Sequence, residues 1–166
     1  MTTLNVMVGV PGSGKSTFIK KNSKQGDIVI SRDEIRYSIL KDDDDYFSHE
    51  NEVLNMFYSC ANFALDSKHN TWVDATHMSP KSRRTLLSHL HMQNVDVLNF
   101  YAFNIPLETA LERNSLRSGR ACVPEYTIRS MYVNYSIPNY KEFSLYTNKE
   151  VNIYEVAEDG SVRRKS

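Results

Sequence analysis

The chain has 166 residues, 40% of them hydrophobic, and its 20 basic and 20 acidic side chains give a formal charge of zero. This length fits one compact domain, which buries roughly 70% of the surface that its unfolded chain exposes. A neutral chain excludes a global electrostatic grip on nucleic acid, so any site for a polyanion must be a local patch. No apolar stretch approaches the roughly 20 residues that span a bilayer, and no membrane partner is expected.

Short β-rich runs alternate with segments of helical spacing, which predicts an α/β fold. The strands are expected at Leu4–Val8, Asp27–Ser31, Thr71–Ala75, Val95–Phe103 and Val151–Val156. Because strands that alternate with helices connect in parallel, we expect a five-stranded parallel sheet flanked by helices. Ligands of such sheets bind beyond the carboxyl ends of the strands, so polar residues there are the candidates for function.

The first strand leads into Gly9-Val10-Pro11-Gly12-Ser13-Gly14-Lys15-Ser16, which fills every fixed position of the phosphate-binding pattern G-x-x-x-x-G-K-[ST]. A helical segment follows, so the pattern has the strand, loop and helix context that a chance match would lack. Backbone N–H groups and the helix dipole would hold phosphates, Lys15 would reach the β and γ phosphates, and Ser16 would bind Mg²⁺. We therefore expect a nucleoside triphosphate to bind Gly9, Pro11, Gly12, Ser13, Gly14, Lys15, Ser16 and Thr17.

The second strand ends at Ser31, which has the spacing of a capping box with Glu34. Asp33 then lies in the first helical turn, where the helix dipole favours its ionised form, and Arg36 shares its face. The carboxylate would accept a hydroxyl proton, and the arginine would hold an anionic group of the same substrate. An acid at a helix N-terminus with an ordinary surface ion pair is the alternative, and the position at a strand end favours the functional interpretation.

Two further helices have the pattern of core elements. The segment from Glu50 to Ser67 carries one apolar face, and Ser79-Pro80 opens a helix with an N-cap and a proline at its first position. The apolar face of the first comprises Val53, Phe57, Cys60, Ala61 and Ala64. The acidic run from Asp42 to Asp45 is interpreted as a solvated loop, because adjacent side chains diverge and do not share a metal ion.

Asp74 ends the third strand, where a carboxylate would bind Mg²⁺ directly or through water. It would instead cap the turn together with Thr76 if the site uses no acid there. His77 is expected to form hydrogen bonds within the loop. Cys60 and Cys122 form no C-x-x-C pair and no signal segment precedes the first strand, which favours a reducing, cytoplasmic setting.

Arginines recur after the fourth strand at separations of four and three, at Arg113, Arg117 and Arg120, which predicts one helical face that ends at Gly119. A solvated surface is the alternative for such a stripe. The same solvated interpretation is preferred over a basic groove for Lys81, Arg83, Arg84 and Arg129, and the terminal Arg163-Arg164-Lys165 is expected to be a frayed tail. The tyrosines between Tyr126 and Tyr146 would form a subunit contact in a homo-oligomer or stack on bases, although core packing explains most of them more simply.

Three segments together resemble the kinase domain of bacteriophage polynucleotide 5′-kinases: the phosphate loop, Ser-Arg-Asp-x-x-Arg-x-Ser at 31–38, and Arg113-Asn114-Ser115-x-Arg117 leading to Val123-Pro124 and Arg129-Ser130-Met131-Tyr132. The resemblance implies an adenylate kinase-like fold over residues 1–166, with a lid near residues 113–123. It implies ATP and Mg²⁺ as cofactors, transfer of the γ-phosphate to a 5′-hydroxyl of DNA or RNA, and the host cytoplasm for a phage protein.

Carried across, Asp33 is the general base, Arg36 holds the phosphate next to the acceptor nucleotide, and Arg117 is the lid arginine. Arg113 and Arg120 join the ATP site, and Asp74 lies on the substrate side. No D-x-D-G-T signature of a 3′-phosphatase occurs, so kinase activity without 3′-end healing is expected. The alternatives are a kinase for a small hydroxyl compound, such as a nucleoside, sugar or antibiotic, and, less favoured, a nucleotide-dependent switch.

Overall fold

The computed structural model describes residues 1–166 and confirms the α/β fold, with a mostly parallel sheet between two layers of helices. The strands are β1 (Thr3–Val8), β2 (Ile28–Ser31), β3 (Thr71–Asp74), β4 (Val97–Phe103), β5 (Glu150–Val156) and β6 (Val162–Arg164). The helices are α1 (Lys15–Asn22), α2 (Arg32–Ile39), α3 (Glu50–Asp66), α4 (Pro80–His89), α5 (Leu107–Ser115) and α6 (Glu125–Val133).

The order of the strands across the sheet is β2-β3-β1-β4-β5-β6, and the first five are parallel. β1 therefore lies between β3 and β4, at the point where successive strands change from one side of it to the other. The carboxyl end of β1 is the place where a parallel sheet leaves a crevice for a ligand. The phosphate loop follows β1 directly and lies at that crevice.

A sixth strand corrects the prediction of five. β6 pairs antiparallel with β5, so the expectation that Arg163-Arg164-Lys165 is a frayed tail is wrong. The backbone N–H of Lys165 donates to the carbonyl of Ile153 at 2.7 Å, and the guanidinium of Arg164 donates to the side chain of Asn152. Asn152 continues a row of hydrogen-bonded amides that crosses β1, β4 and β5 through Asn5 and Asn99. Strand formation here depends on these long-range partners, which no local pattern in the tail reveals.

Alternate residues of β1 enter two different cores, as expected for a strand buried on both faces. Leu4, Val6 and Val8 pack in the larger core, which contains α3 and α4 residues, whereas Met7 packs against α1. The predicted apolar face of α3 is buried except for Cys60, which is exposed and is not a core residue.

Arg83 is fully buried, so the expectation of a solvated side chain on α4 is wrong. Its Nε and Nη2 donate to the two carboxylate oxygens of Glu142 at 2.8 and 2.9 Å. Its Nη1 donates to the carbonyls of His77 and Ser136 at 2.9 and 3.0 Å. The guanidinium therefore joins α4, the loop after β3 and the segment after α6.

Candidate active site

The phosphate loop joins β1 to α1 and depends on two glycines with positive φ. Gly14 is the N-cap of α1 at φ 99°, and Gly12 lies at φ 81°. A Cβ added to Gly12 would lie 2.4 Å from the carbonyl oxygen of Ala110, so only glycine allows the loop to pack against α5. The loop is therefore supported both by its own backbone geometry and by a neighbouring helix.

Lys15 is buried at the first position of α1 and has no carboxylate partner. Its Nζ donates to the carbonyls of Gly9 and Val10 at 3.0 and 2.9 Å. Burial lowers the pKa of Lys15 to about 8, although the nearby carboxylates of Asp74 and Asp33 oppose this shift. A buried cation that donates to carbonyl and hydroxyl oxygens and has no carboxylate partner favours an anion beside it, which agrees with the phosphate site predicted here.

Ser16 and Asp74 come together at the ends of α1 and β3. The Ser16 hydroxyl donates to Asp74 Oδ2 at 2.7 Å, and Asp74 is 8% exposed. A hydroxyl and a carboxylate fit Mg²⁺, which prefers oxygen ligands and takes one or two from the protein beside water and substrate phosphates. The structure contains no cluster of three or more His, Cys, Asp or Glu residues that could hold a metal ion without a nucleotide. Ser16 and Asp74 would therefore hold the ion together with phosphate oxygens.

Asp33 lies in the first turn of α2, which begins where the Ser31 hydroxyl accepts from the N–H of Glu34 at 3.3 Å. Oδ1 of Asp33 accepts from Arg36 Nη1 at 2.5 Å and from the Tyr46 hydroxyl at 2.6 Å. No protein group donates to Oδ2, and the side chain is 56% exposed in the cleft. One carboxylate oxygen is thus held while the other is available to a substrate.

Arg36 is paired with Asp33 as the spacing predicts, but it is more deeply buried than that pattern suggests, at 4% exposure. Its Nε and Nη2 donate to both oxygens of Glu50 at 2.9–3.2 Å. Its Nη1 donates to Asp33 and to the Tyr46 hydroxyl, the latter at 2.9 Å. All three nitrogens have protein acceptors, so an anionic substrate group at Arg36 has to displace one of them. The assignment of this residue to a substrate phosphate stays a prediction.

The three arginines near residue 117 do not share a helical face, which corrects the sequence prediction. α5 ends at Ser115 and a short 3₁₀ turn follows at Gly119–Ala121, with Gly119 at φ 60°. Arg113 donates to the carbonyls of Ser13 and Glu158 at 3.2 and 3.1 Å and supports the phosphate loop from behind.

Arg117 and Arg120 belong to the lid segment, here residues 116–124. Arg117 lines the cleft, forms no ion pair, and lies near enough to lower the pKa of Lys15. Arg120 donates through Nη2 to the carbonyls of Lys41, Asp42 and Asp44 at 2.7–3.1 Å. Arg117 is therefore the arginine of the three whose side chain lines the cleft without a protein hydrogen-bond partner, whereas Arg120 fastens the lid to the loop after α2.

These groups line a single cleft of about 740 Å³. The phosphate loop and the ends of β2 and β3 form its floor, and the lid and residues 46–50 form its walls. Two exposed aromatic rings lie at its rim, Phe47 at 59% and Tyr126 at 77% exposure. The structure thus brings Lys15, Ser16, Asp33, Asp74 and Arg117 to one cavity.

Sequence reasoning missed Tyr46 and Glu50 in this site. Glu50 binds Arg36 and also accepts from Arg32 at 2.6 Å. Tyr46 precedes α3 and Glu50 opens it. Because α3 packs beside α2, Tyr46 reaches Asp33 and Glu50 reaches Arg36. The acidic run before Tyr46 marked a loop but carried no signal for a hydrogen bond to Asp33.

His77 is part of the scaffold behind the cleft. It is 6% exposed and has a positive φ of 43°, and its Nδ1 forms a hydrogen bond with the carbonyl of Met7 at 2.9 Å. Burial lowers the pKa of His77 to about 4, so the ring is neutral at physiological pH. This agrees with its interpretation as a hydrogen-bonding residue of the loop.

Residues 4–138 match the model of AAA_33, a family described as an AAA domain. The chain belongs to this family. Its fold is that of P-loop kinases. No helix of this family member is long and apolar enough to cross a membrane.

Two curated relatives of this AAA_33 chain are kinases of different kinds. The L-seryl-tRNA(Sec) kinase of Methanococcus maripaludis is 28% identical over 146 residues, which cover 83% of this chain and 54% of the relative. A putative bifunctional polynucleotide kinase/RNA ligase of Autographa californica nuclear polyhedrosis virus is 27% identical over 154 residues, 84% of this chain and 22% of the relative. The chain thus spans about half or less of the length of these relatives.

Solved structures agree on the fold. A structure of the Pnkp1/Rnl/Hen1 RNA repair complex has a TM-score of 0.69 at 24% identity and covers 80% of this chain and 43% of its own. A Janibacter sugar kinase has a TM-score of 0.61 at 16% identity and covers 93% of this chain and 86% of its own. At these identities the likeness shows a shared fold and does not identify the molecule that would accept a phosphoryl group.

Proposed function

We propose that this protein transfers the γ-phosphate of ATP to the 5′-hydroxyl end of DNA or RNA. The observation that carries the proposal is Asp33, whose Oδ2 is open to the cleft that also contains Lys15 and Arg117. A carboxylate with one oxygen held and one free is suited to take the proton of an acceptor hydroxyl.

The roles of the residues follow from their positions. The phosphate loop and Lys15 bind the β and γ phosphates, and Ser16 with Asp74 hold Mg²⁺. When bound, Mg²⁺·ATP supplies the phosphoryl group that is transferred. Asp33 takes the acceptor proton while the acceptor oxygen bonds to phosphorus and the bond to the ADP oxygen breaks. Lys15 and Arg117 neutralise the charge that develops on the transferred group.

Three features support a polynucleotide as the acceptor. A relative that covers 84% of this chain is a putative polynucleotide kinase/RNA ligase. The exposed rings of Phe47 and Tyr126 at the rim of the cleft are suited to stack on bases. Arg117 supplies a local positive charge within a chain that has no net charge.

A second candidate is a kinase for a small hydroxyl compound, such as a nucleoside, sugar or antibiotic. The specific observation in its favour is Arg36, whose three nitrogens all have protein acceptors. An uncharged acceptor requires no free guanidinium beside the base.

The acceptor panel decides between the two. The protein is incubated with γ-labelled ATP and Mg²⁺ and with 5′-hydroxyl DNA, 5′-hydroxyl RNA, nucleosides or sugars, and the matched control is the same oligonucleotide bearing a 5′-phosphate. We expect label on the 5′-hydroxyl oligonucleotides and none on the control. Label only on a nucleoside or sugar would overturn the proposal and support the kinase for a small hydroxyl compound. Release of labelled phosphate to water, with no labelled acceptor, would indicate a nucleotide-dependent switch.

A further inference from the structure

Tyr46 connects the candidate base to a part of the chain outside the phosphate loop and the strand ends. It lies between α2 and α3, and its hydroxyl donates to Asp33 Oδ1 at 2.6 Å while accepting from Arg36 Nη1 at 2.9 Å. The Arg36 guanidinium packs over the Tyr46 ring, with Cζ 4.5 Å from the ring centroid. Burial, followed by the hydrogen bond to Asp33, raises the pKa of Tyr46 well above its ordinary value, so the hydroxyl remains a donor.

The two donors lie on the same oxygen of Asp33. An aspartate in a first helical turn that is 56% exposed can rotate its carboxylate, and rotation exchanges the held and the open oxygen. Arg36 alone supplies one contact, which leaves this rotation less restricted. Tyr46 donates a second hydrogen bond to Oδ1 from a different direction, which restricts the rotation and keeps Oδ2 in the cleft.

We propose that Tyr46 is a positioning residue for the general base: its hydroxyl fixes Oδ1 of Asp33 and turns Oδ2 towards the acceptor hydroxyl. This inference rests on the proposed function, in which Asp33 takes the acceptor proton. Arg36 stays paired with Glu50 when the Tyr46 hydroxyl is absent, so its loss removes orientation without breaking the buried ion pair.

The lid contributes to the same arrangement through Arg120. This residue donates to the carbonyls of Lys41, Asp42 and Asp44, and Asp44 lies two residues before Tyr46. The lid therefore holds the loop that presents the Tyr46 hydroxyl. These hydrogen bonds link the lid segment to the loop that carries Tyr46, and through Tyr46 to Asp33.

The test is Tyr46→Phe, which removes one oxygen and keeps the ring over Arg36. We expect kcat to fall about tenfold, as for the loss of one hydrogen bond to a charged group, with KM for ATP and the melting temperature unchanged. The loss should appear in kcat and leave KM for the acceptor unchanged, because the Tyr46 hydroxyl orients Asp33 and is not itself a contact to the acceptor. The matched control is Tyr154→Phe on β5, whose hydroxyl makes no hydrogen bond and lies outside the cleft.

Two further variants separate this inference from alternatives. Arg120→Ala should reproduce part of the decrease in kcat, and combined with Tyr46→Phe it should add little further decrease; an effect on KM for ATP alone would assign Arg120 to the nucleotide instead. In an Asp33→Asn background, Tyr46→Phe should cause little additional loss, because its target is already absent.

The possible failures are distinguishable. Full activity of Asp33→Asn would overturn the proposed function itself. An inactive Asp33→Asn variant together with a Tyr46→Phe variant of unchanged or increased kcat would overturn only the role of Tyr46.

Discussion

Arg36 and Arg83 are both buried, and each donates hydrogen bonds from two nitrogens to the carboxylate of a glutamate, yet their surroundings differ. Arg83 is 0% exposed, and its other hydrogen bonds go to the carbonyl of His77 and to the carbonyl and hydroxyl of Ser136, in two neighbouring segments. Arg36 gives its remaining nitrogen to Asp33, whose carboxylate opens into the cleft. The same kind of ion pair therefore connects parts of the scaffold at Arg83, whereas at Arg36 it holds the candidate base Asp33.

Lys15 adds a third buried cation to this comparison. It has no carboxylate within ion-pair distance and donates to loop carbonyls. A cation paired with a carboxylate is already neutralised by the protein, whereas one held by carbonyls retains its attraction for a phosphate. The kind of partner, more than the burial, therefore separates Lys15 from the two arginines.

The largest effect on catalysis is expected when Asp33, the carboxylate to which Arg36 donates, is replaced. Asp33→Asn should lower kcat by roughly 10²–10⁴ while the Kd for ATP and the melting temperature change little, because the amide keeps its volume but takes no proton. Single-turnover kinetics and calorimetric ATP titration measure the two quantities. Asp43→Asn, an exposed change outside the cleft, is the control and should retain wild-type activity.

Removal of Arg83 should lower the free energy of unfolding more than removal of Arg36. Arg83→Met leaves the buried carboxylate of Glu142 without a positively charged partner and should cost about 3–5 kcal/mol of unfolding free energy in urea denaturation. Arg36→Met should cost less, between this value and the ~0–1 kcal/mol of a surface pair, since Glu50 keeps Arg32 and is 25% exposed. Arg83→Met combined with Glu142→Leu should recover part of the loss. Equal losses for the two single variants would remove the distinction between the regions.

The acceptor dependence of an Arg36 variant tests whether this arginine also touches substrate. Arg36→Ala should reduce kcat/KM for an acceptor with a phosphate next to its 5′-hydroxyl by roughly 10–100-fold more than for the free nucleoside, because a hydrogen bond to a charged group is lost only with the former. Rates on a nucleoside and on its 3′-phosphate provide the comparison. An equal decrease on both would make Arg36, like Arg83, a residue that acts only through its protein partners.

The smallest effect is the pH dependence that Lys15 should give to nucleotide binding. With its pKa near 8 in the free protein, Lys15 is mostly protonated at pH 7 and mostly neutral at pH 9. Binding of a phosphate requires the charged form, so ATP affinity should fall as pH rises through 8, by up to about tenfold per unit. Calorimetric titration at the two pH values measures the change. Lys15→Met should bind ATP weakly and without this slope, and a wild-type affinity that is independent of pH would contradict the assignment.

Much of the site was predictable wherever its contacts are local. The phosphate loop has a fixed spacing, and Asp33 and Arg36 are three residues apart, so their ion pair follows from helical geometry. The arginines near residue 117 were predicted on one helix because their spacing is helical, but α5 ends at Ser115. The sequence shows the spacing and does not show that the lid leaves the helix to contact the loop after α2.

The α/β order of the elements, the phosphate loop and the acid after the second strand can be predicted from the sequence. These depend on hydrophobic periodicity and on contacts within a few residues. The burial of Arg83, the pairing of the C-terminal residues as β6, and the contacts of Tyr46 and Glu50 with Asp33 and Arg36 follow from the folded structure alone. Each of these depends on partners between 12 and 59 residues away, brought together by packing that leaves no local pattern.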